Sequence, residues 1–302
     1  MTKSQLIHKQ NRLVEKTVTE LDSAYRQHHK KVKSFLLKAL FPNGTLAPQY
    51  SQDYVLSTLQ EAARILEARV AGITDRQLKE ALLLGLLMYF EDIGSPISVA
   101  EAREILSLSA SGTQLVSEVT RMLNHTTANT SARLERMVVQ AYNQELLLQI
   151  ADQRDNDRLL ELYMMTETEE EFAAALEAEG FVGIVDSAGR RWKPDVYAMM
   201  VLRTMLREAN VAMQKEQARN DGFDLAWISD HNVANPCNLW ENTIISLNGV
   251  DSRFPTYEQA KATLEVFHPN CQHYLNVIRD LADVPAYVLS TTESKYGIKL
   301  QP

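Results

Sequence analysis

The chain has 302 residues, of which 45% are hydrophobic and 23% charged, so it can bury a core and is not expected to be disordered. Its net charge of -8 at pH 7 disfavours a protein whose whole surface binds nucleic acid. Two cysteines exclude a disulfide-rich scaffold, and the longest apolar run, residues 81–90, is shorter than the roughly 20 residues of a membrane-spanning helix. The first residues lack an apolar signal segment, so we expect synthesis in the cytoplasm and no membrane association.

The N-terminal segment is predicted to form a basic helix over residues 3–40. Residues 1–40 carry nine basic and three acidic side chains, and Pro42 should end the helix because proline cannot continue the hydrogen-bonded ladder. A solvated helix surface would explain this charge. The basic face could instead dock an acidic partner or nucleic acid, and the candidate contacts are then Lys30, Lys31 and Lys33.

Helical periodicity dominates the sequence as far as residue 165. The capping-box pattern of Thr74 with Gln77 predicts that one helix begins there, and Ser98 with Glu101 predicts the start of another. The composition then changes. An acidic cluster at residues 167–171 predicts a short helix, since carboxylates oppose the positive end of the helix dipole.

The last third of the chain has the pattern of a small α+β domain. Residues 181–192 indicate a hairpin around a Ser-Ala-Gly turn, and Pro194 suits the first turn of a long helix. Strands are predicted at residues 223–229 and 243–247, and a short helix follows Thr256. The predicted fold class is mainly α, with an elongated helical N-terminal half and a small α+β C-terminal domain. The predicted division is a helical region at 1–165, an acidic helix and hairpin connector at 166–190, and the α+β domain at 191–302.

Side chains that bind metals are concentrated in this last domain. Both cysteines and three of the seven histidines lie between residues 231 and 273. Thiolate and imidazole are the ligands that Zn²⁺ prefers, and four of them make a closed structural site. Alternate side chains of an extended segment project to the same side. The candidate ligands are His231, Cys237, Cys271 and His273, with His268 as a spare.

The same residues admit other interpretations. Two buried cysteines and hydrogen-bonded histidines could simply belong to a core, and Cys237 could form a disulfide with Cys271, which a reducing cytoplasm disfavours. A thiol enzyme or a zinc hydrolase would need a general base, and Glu241 is the only nearby candidate. No flanking signature supports catalysis, and no phosphate-binding loop occurs.

Several blocks of residues, in this order, resemble the C-terminal domain of tailed-phage minor capsid proteins, the head morphogenesis (Mu F-like) family. The first block contains Trp192, Tyr197, Met200, Arg203, Thr204, Glu208 and Ala209; the second Gly222, Phe223, Asp224, Leu225, Ile228, Ser229, His231, Cys237, Trp240 and Glu241; the third Ser246 and Gly249; and the last covers residues 267–273. The resemblance spans about residues 190–275. Its one noted departure is Gln272, where relatives often carry arginine, which weakens a phosphate contact by this loop.

The resemblance implies a structural virion component rather than an enzyme. Such proteins are present in multiple copies, associate with the portal protein or the major capsid protein at the portal vertex or capsid interior, and aid head assembly or DNA packaging. The helical region at 1–165 would then bind the portal or capsid. The alternatives are a packaging or ejection protein that contacts DNA through the basic N-terminal arm, or a metal- or thiol-dependent enzyme. No cofactor besides a structural zinc ion is expected.

Overall fold

The computed structural model describes residues 1–107, 109–154, 168–231, 236–269 and 271–300. The predicted helix over residues 155–165 and the first residue of the acidic cluster, Glu167, lie outside the described residues. In the described part of the chain, no helix is long and apolar enough to cross a membrane.

The protein is mainly α-helical, as predicted. The α-helices are α1 (Lys3–Leu40), α2 (Gln52–Asp92), α3 (Val99–Ser107), α4 (Ala110–Arg154), α5 (Glu169–Ala175), α6 (Pro194–Asn220), α7 (Tyr257–Ala262) and α8 (Ala286–Tyr296). A π-helical turn, Leu176–Gly180, follows α5. Capping boxes open α3, α5 and α7, with Ser98, Thr168 and Thr256 each accepting a hydrogen bond from the backbone three residues on.

The predicted helix start at Thr74 is wrong. Residues 52–92 form one continuous helix, and both Thr74 and Gln77 are buried inside it. A capping-box pattern needs a preceding break in the helix to act as a start, and the sequence before Thr74 contains Gly72 but no proline.

Two small antiparallel sheets complete the fold. The predicted hairpin is confirmed: β1 (Ile184–Val185) pairs with β2 (Arg191–Trp192). In the second sheet, β3 (Leu225–Ile228) lies between β4 (Ile244–Ser246) and β5 (Leu275–Ile278). The sequence reading found β3 and β4 but missed β5 and helix α8.

The chain divides into two compact units, and the predicted boundaries at residues 165 and 190 stay a prediction. The first unit comprises Met1–Val18, Thr74–Val119 and Met200–Pro302. The second comprises Thr19–Ile73 and Thr120–Met199. Each unit therefore combines segments that are distant in sequence.

The first unit contains the three-stranded sheet and packs α6 and the C-terminal half of α2 around it. Ala226, Ile228 and Val277 from the sheet lie in one apolar core with Tyr89 of α2. Lys3 Nζ is 2.6 Å from Asp92 Oδ2 and also donates to the carbonyl oxygen of Leu275, while Asp92 accepts the amide of Val277. This partly buried ion pair holds the start of α1 and the end of α2 against β5.

The second unit is built from the C-terminal half of α1, the N-terminal half of α2, α4 and the short elements after it. Leu36, Leu59, Leu134, Val138 and Phe172 share its core. Each of these helices turns one apolar face toward this core, so the apolar residues of these segments recur with the helical repeat.

His28 and His29 predict an acid sensitivity of the second unit. Burial lowers the pKa of each imidazole to about 4, compared with about 6.5 in an unfolded chain. Between about pH 4 and 6.5 both imidazoles are neutral in the folded chain but become protonated when the chain unfolds. The folded state is therefore fully stable with respect to these two groups above pH 6.5 and loses stability as the pH falls toward 4. We expect the free energy of unfolding to fall by about 2 kcal/mol between pH 7 and 5.5, after allowance for their partial exposure.

Urea unfolding at the two pH values measures this loss. A double variant, His28→Gln with His29→Gln, should show a shallower pH dependence than the wild-type protein, whatever its absolute stability. The exposed His8 provides the matched control, and His8→Gln should leave the dependence unchanged. The same slope in all three proteins would contradict the assignment.

Candidate metal centre

The candidate site lies at one end of the three-stranded sheet. His231 follows β3, Cys237 lies in a 3-10 helix, Pro236–Leu239, and Cys271 and His273 precede β5. The antiparallel ladder continues past the ends of β3 and β5, because the Ser229 amide donates to the Tyr274 carbonyl oxygen at 3.1 Å. The chain after β3 and the chain before β5 therefore come together at this end of the sheet.

The structure brings all five predicted side chains together. The rings of His231 and His273 have centroids 4.1 Å apart. Cys237 Sγ is 3.0 Å from His268 Nε2, and Cys271 Sγ is 3.1 Å from His273 Nδ1. Residues 232–235 and Asn270, which neighbour the site in sequence, lie outside the described residues.

Their ligand atoms form two overlapping groups. One consists of His231, Cys237 and His273 and the other of Cys237, His268 and Cys271; within each group the atoms lie within 4.8 Å of one another. In tetrahedral zinc sites the ligand atoms are about 2.0–2.3 Å from the ion, which separates them from one another by less than this limit. Cys237 belongs to both groups and is therefore the central residue of the cluster.

His268, the spare of the sequence prediction, has the orientation of a metal ligand. Its Nδ1 is 2.8 Å from the carbonyl oxygen of Pro269, so donation there leaves the Nε2 lone pair directed at Cys237 Sγ. A backbone acceptor on the second ring nitrogen is the usual way in which a ligating histidine is held in place. The geometry thus favours His268 as strongly as His231 or His273.

Glu241 holds the other two histidines. Its Oε1 is 2.6 Å from His231 Nδ1 and 3.0 Å from His273 Nε2. Burial alone would raise the pKa of Glu241, but hydrogen bonds with His273 and His231 outweigh it and lower the pKa. The carboxylate is therefore ionised and fixes both rings, a role that the sequence reading, which considered it only as a general base, did not identify.

The cysteines sit in the apolar core of the first unit. Cys237 is 1% exposed and Cys271 5%, and both pack in the core cluster that includes Trp240 and Phe267. Neither forms a disulfide. Burial and the neighbouring Cys271 raise the pKa of the Cys237 thiol, so without a cation this thiol is neutral and a poor nucleophile.

An ion would change this balance, because a coordinating cation deprotonates a thiol outright. Two thiolates and two imidazoles would suit Zn²⁺ in a closed tetrahedron. The cluster can therefore hold a metal, and its burial suits a structural ion rather than an open catalytic one.

A second network, centred on Asp224, braces the turn after β4. The carboxylate accepts Ser246 Oγ at 2.6 Å and the amides of Asn248 and Asp251, and Ser246 Oγ in turn accepts the Gly249 amide. Gly249 has a φ of 78°, which favours glycine. These bonds give the Ser246 and Gly249 motif a structural role. The sequence does not reveal this role, because nothing in it shows that Asp224 contacts the turn after β4.

The three predicted contact lysines lie on α1 in the second compact unit. They are far in sequence from the Asp224 network. Lys30 and Lys31 are exposed. Lys33 Nζ is 3.0 Å from Glu177 Oε1 in the same unit, so its charge is already paired.

Comparison with known proteins identifies the family of this chain. The family model described as phage minor capsid protein 2 matches residues 105–295, more than half of the chain. The chain belongs to this family, which confirms the resemblance to phage minor capsid proteins drawn from the sequence. No curated protein and no solved structure matches the chain.

Proposed function

We propose that this protein is built into the phage head as a non-enzymatic component that binds the portal protein or the inner surface of the capsid and aids head assembly or DNA packaging. The observation that carries the proposal is the family match over residues 105–295, since it covers the chain from α4 into α8 and supports a structural role in the capsid. Membership of a capsid family favours a virion location and contacts with other capsid proteins.

The Cys/His cluster, whose two cysteines are buried, supports a structural role for the site. A catalytic zinc ion needs an open coordination position, and a catalytic thiol needs an accessible thiolate. Cys237 and Cys271 lie in an apolar core, and the pKa of Cys237 is raised by burial and by its neighbour Cys271. We infer that Cys237, Cys271 and His268, with His273 or His231, hold a structural zinc ion.

Quantitative mass spectrometry of purified heads and of their precursors tests the function. The proposal predicts that the chain is present in several copies per particle and that it co-purifies with the portal protein when the two are expressed together. Absence from both heads and precursors would refute it, and so would turnover of a small molecule by the purified protein that Cys237→Ala abolishes without affecting head incorporation.

The alternative of DNA contact through α1 has weaker support than the sequence suggested. Lys30 and Lys31 are exposed, but Lys33 is paired with Glu177. Phosphate contacts through these lysines would make binding fall steeply with salt concentration.

A further inference from the structure

An apolar groove runs between α1 and α2 in the second compact unit. We call it the α1/α2 groove; it encloses about 260 Å³ and is lined by residues 24–35 of α1 and 58–69 of α2. Val32, Leu59 and Leu66 form its floor, each less than 5% exposed. Ile65 also lines the groove and is 61% exposed, so its side chain is accessible to a docked chain.

The dimensions of the α1/α2 groove fit a helix. Twelve residues of each wall correspond to about three helical turns, or roughly 18 Å. The two walls run antiparallel, because Arg69 near the end of one stretch donates to the Gln27 side chain near the start of the other at 2.9 Å. Grooves between two helices typically receive an amphipathic helix through apolar residues at i, i+3 or i+4, and i+7.

The charged residues that line the α1/α2 groove indicate the charge of the helix that it would bind. Lys31 and Arg69 line it, whereas no carboxylate does so among the described residues, although the chain as a whole has a net charge of -8. No ion pair of Lys31 is found in the described ranges. His28 also lines the groove and adds no charge at neutral pH, because burial lowers its pKa to about 4.

Two carboxylates near the groove residues on the same helices are held by their own neighbours. Asp22 pairs with Arg26 on α1, and Glu61 pairs with Arg64 on α2. The two cations of the α1/α2 groove are therefore complementary to carboxylates brought by another chain.

We propose that the α1/α2 groove docks an amphipathic helix of another head protein, whose apolar stripe enters between α1 and α2 and whose flanking acidic side chains pair with Lys31 and Arg69. This inference rests on the proposed function for the source of the helix, while the recognition itself depends only on the groove. Apolar burial supplies the affinity, and the two cations supply the choice of partner.

Binding of the full-length chain to two synthetic helical peptides of about 15 residues tests the recognition. The peptides share one leucine stripe and differ only in having glutamates or lysines beside it. We expect the acidic peptide to bind at least about tenfold more tightly at low ionic strength. Lys31→Glu combined with Arg69→Glu should reverse this preference, and Ile65→Asp should weaken binding of both peptides.

Arg64→Glu combined with Lys30→Glu is the matched control, because it makes the same charge change at exposed positions of α2 and α1 that do not line the groove. It should leave the preference unchanged, and circular dichroism should show that all variants keep their helical content. Equal binding of the two peptides, or no binding, would overturn the proposal. So would self-association of the chain that Ile65→Asp abolishes, or a duplex DNA probe that binds more tightly than the acidic peptide and is lost in the Lys31 and Arg69 variant.

Head incorporation separates this proposal from the proposed function. If the wild-type chain enters heads and the variants that lose the acidic peptide do not, the groove is a docking site used in assembly. If those variants enter heads as well as the wild type, the docking proposal is refuted while the capsid function stands. If the wild-type chain itself is absent from heads, the proposed function fails, whereas the peptide preference still decides the recognition.

Discussion

Cys237→Ala is expected to lower the free energy of unfolding of the first unit by about 4 kcal/mol or more, which corresponds to a fall of roughly 10 °C in its unfolding midpoint. Cys237 is shared by both groups of ligand atoms and is almost completely buried. Its removal therefore takes a thiolate from the proposed zinc site and leaves a small cavity in the core. Differential scanning calorimetry of the purified protein measures the shift.

Treatment with a chelator distinguishes the contribution of a bound metal to stability from the contribution of packing. Removal of the ion should lower the midpoint of the wild-type protein close to that of Cys237→Ala and should leave the variant unchanged. Without a metal, the substitution would cost only the lost packing and hydrogen bond, about 1–2 kcal/mol, and the chelator would have no effect. His8→Ala, at an exposed histidine outside the cluster, should behave like the wild type.

Gly85→Ala is expected to destabilise the first unit by about 3 kcal/mol or more. A Cβ atom at Gly85 would lie 2.2 Å from the carbonyl oxygen of Asn210 and 2.8 Å from its Cα, so α2 and α6 would have to move apart. Both obstructing atoms belong to the backbone, and no rotamer change relieves the overlap. The unfolding midpoint in urea measures the loss.

Gly72→Ala is the matched control on the same helix. Outside the local backbone of α2, no atom lies within 4 Å of a Cβ built at Gly72, so the substitution only replaces a poor helix former with a good one. It should stabilise the protein by up to about 1 kcal/mol. Similar effects of the two substitutions would show that α2 and α6 do not approach each other closely at Gly85.

The sequence predicted a helix correctly where its apolar residues recur at helical spacing and so form a single face that packs against a single core. The sequence identified α1 by its charge and apolar repeat, and it identified the hairpin at Trp192 by its turn. The sequence wrongly predicted a helix start at Thr74, because a capping pattern is local, whereas in the structure Thr74 and Gln77 are buried inside one continuous helix. It missed β5, because four residues beginning at Leu275 are too few for a period to stand out and their pairing with β3 joins residues about 50 positions apart.

The candidate site was predictable in composition but not in geometry. The clustering of Cys237, Cys271 and the histidines indicated which side chains meet. The sequence did not reveal that His268 is oriented through the Pro269 carbonyl, or that Glu241 bridges two histidines. Both facts depend on loops whose course spacing alone does not define, including the left-handed backbone at Phe267, with a φ of 55°.

Elemental analysis of the purified full-length protein tests most directly whether a metal ion stabilises the first unit. The account predicts about one zinc ion per chain, retained through gel filtration and lost in Cys237→Ala. A wild-type protein that folds with no stoichiometric metal would contradict it, and the cluster would then be a hydrogen-bonded part of the core.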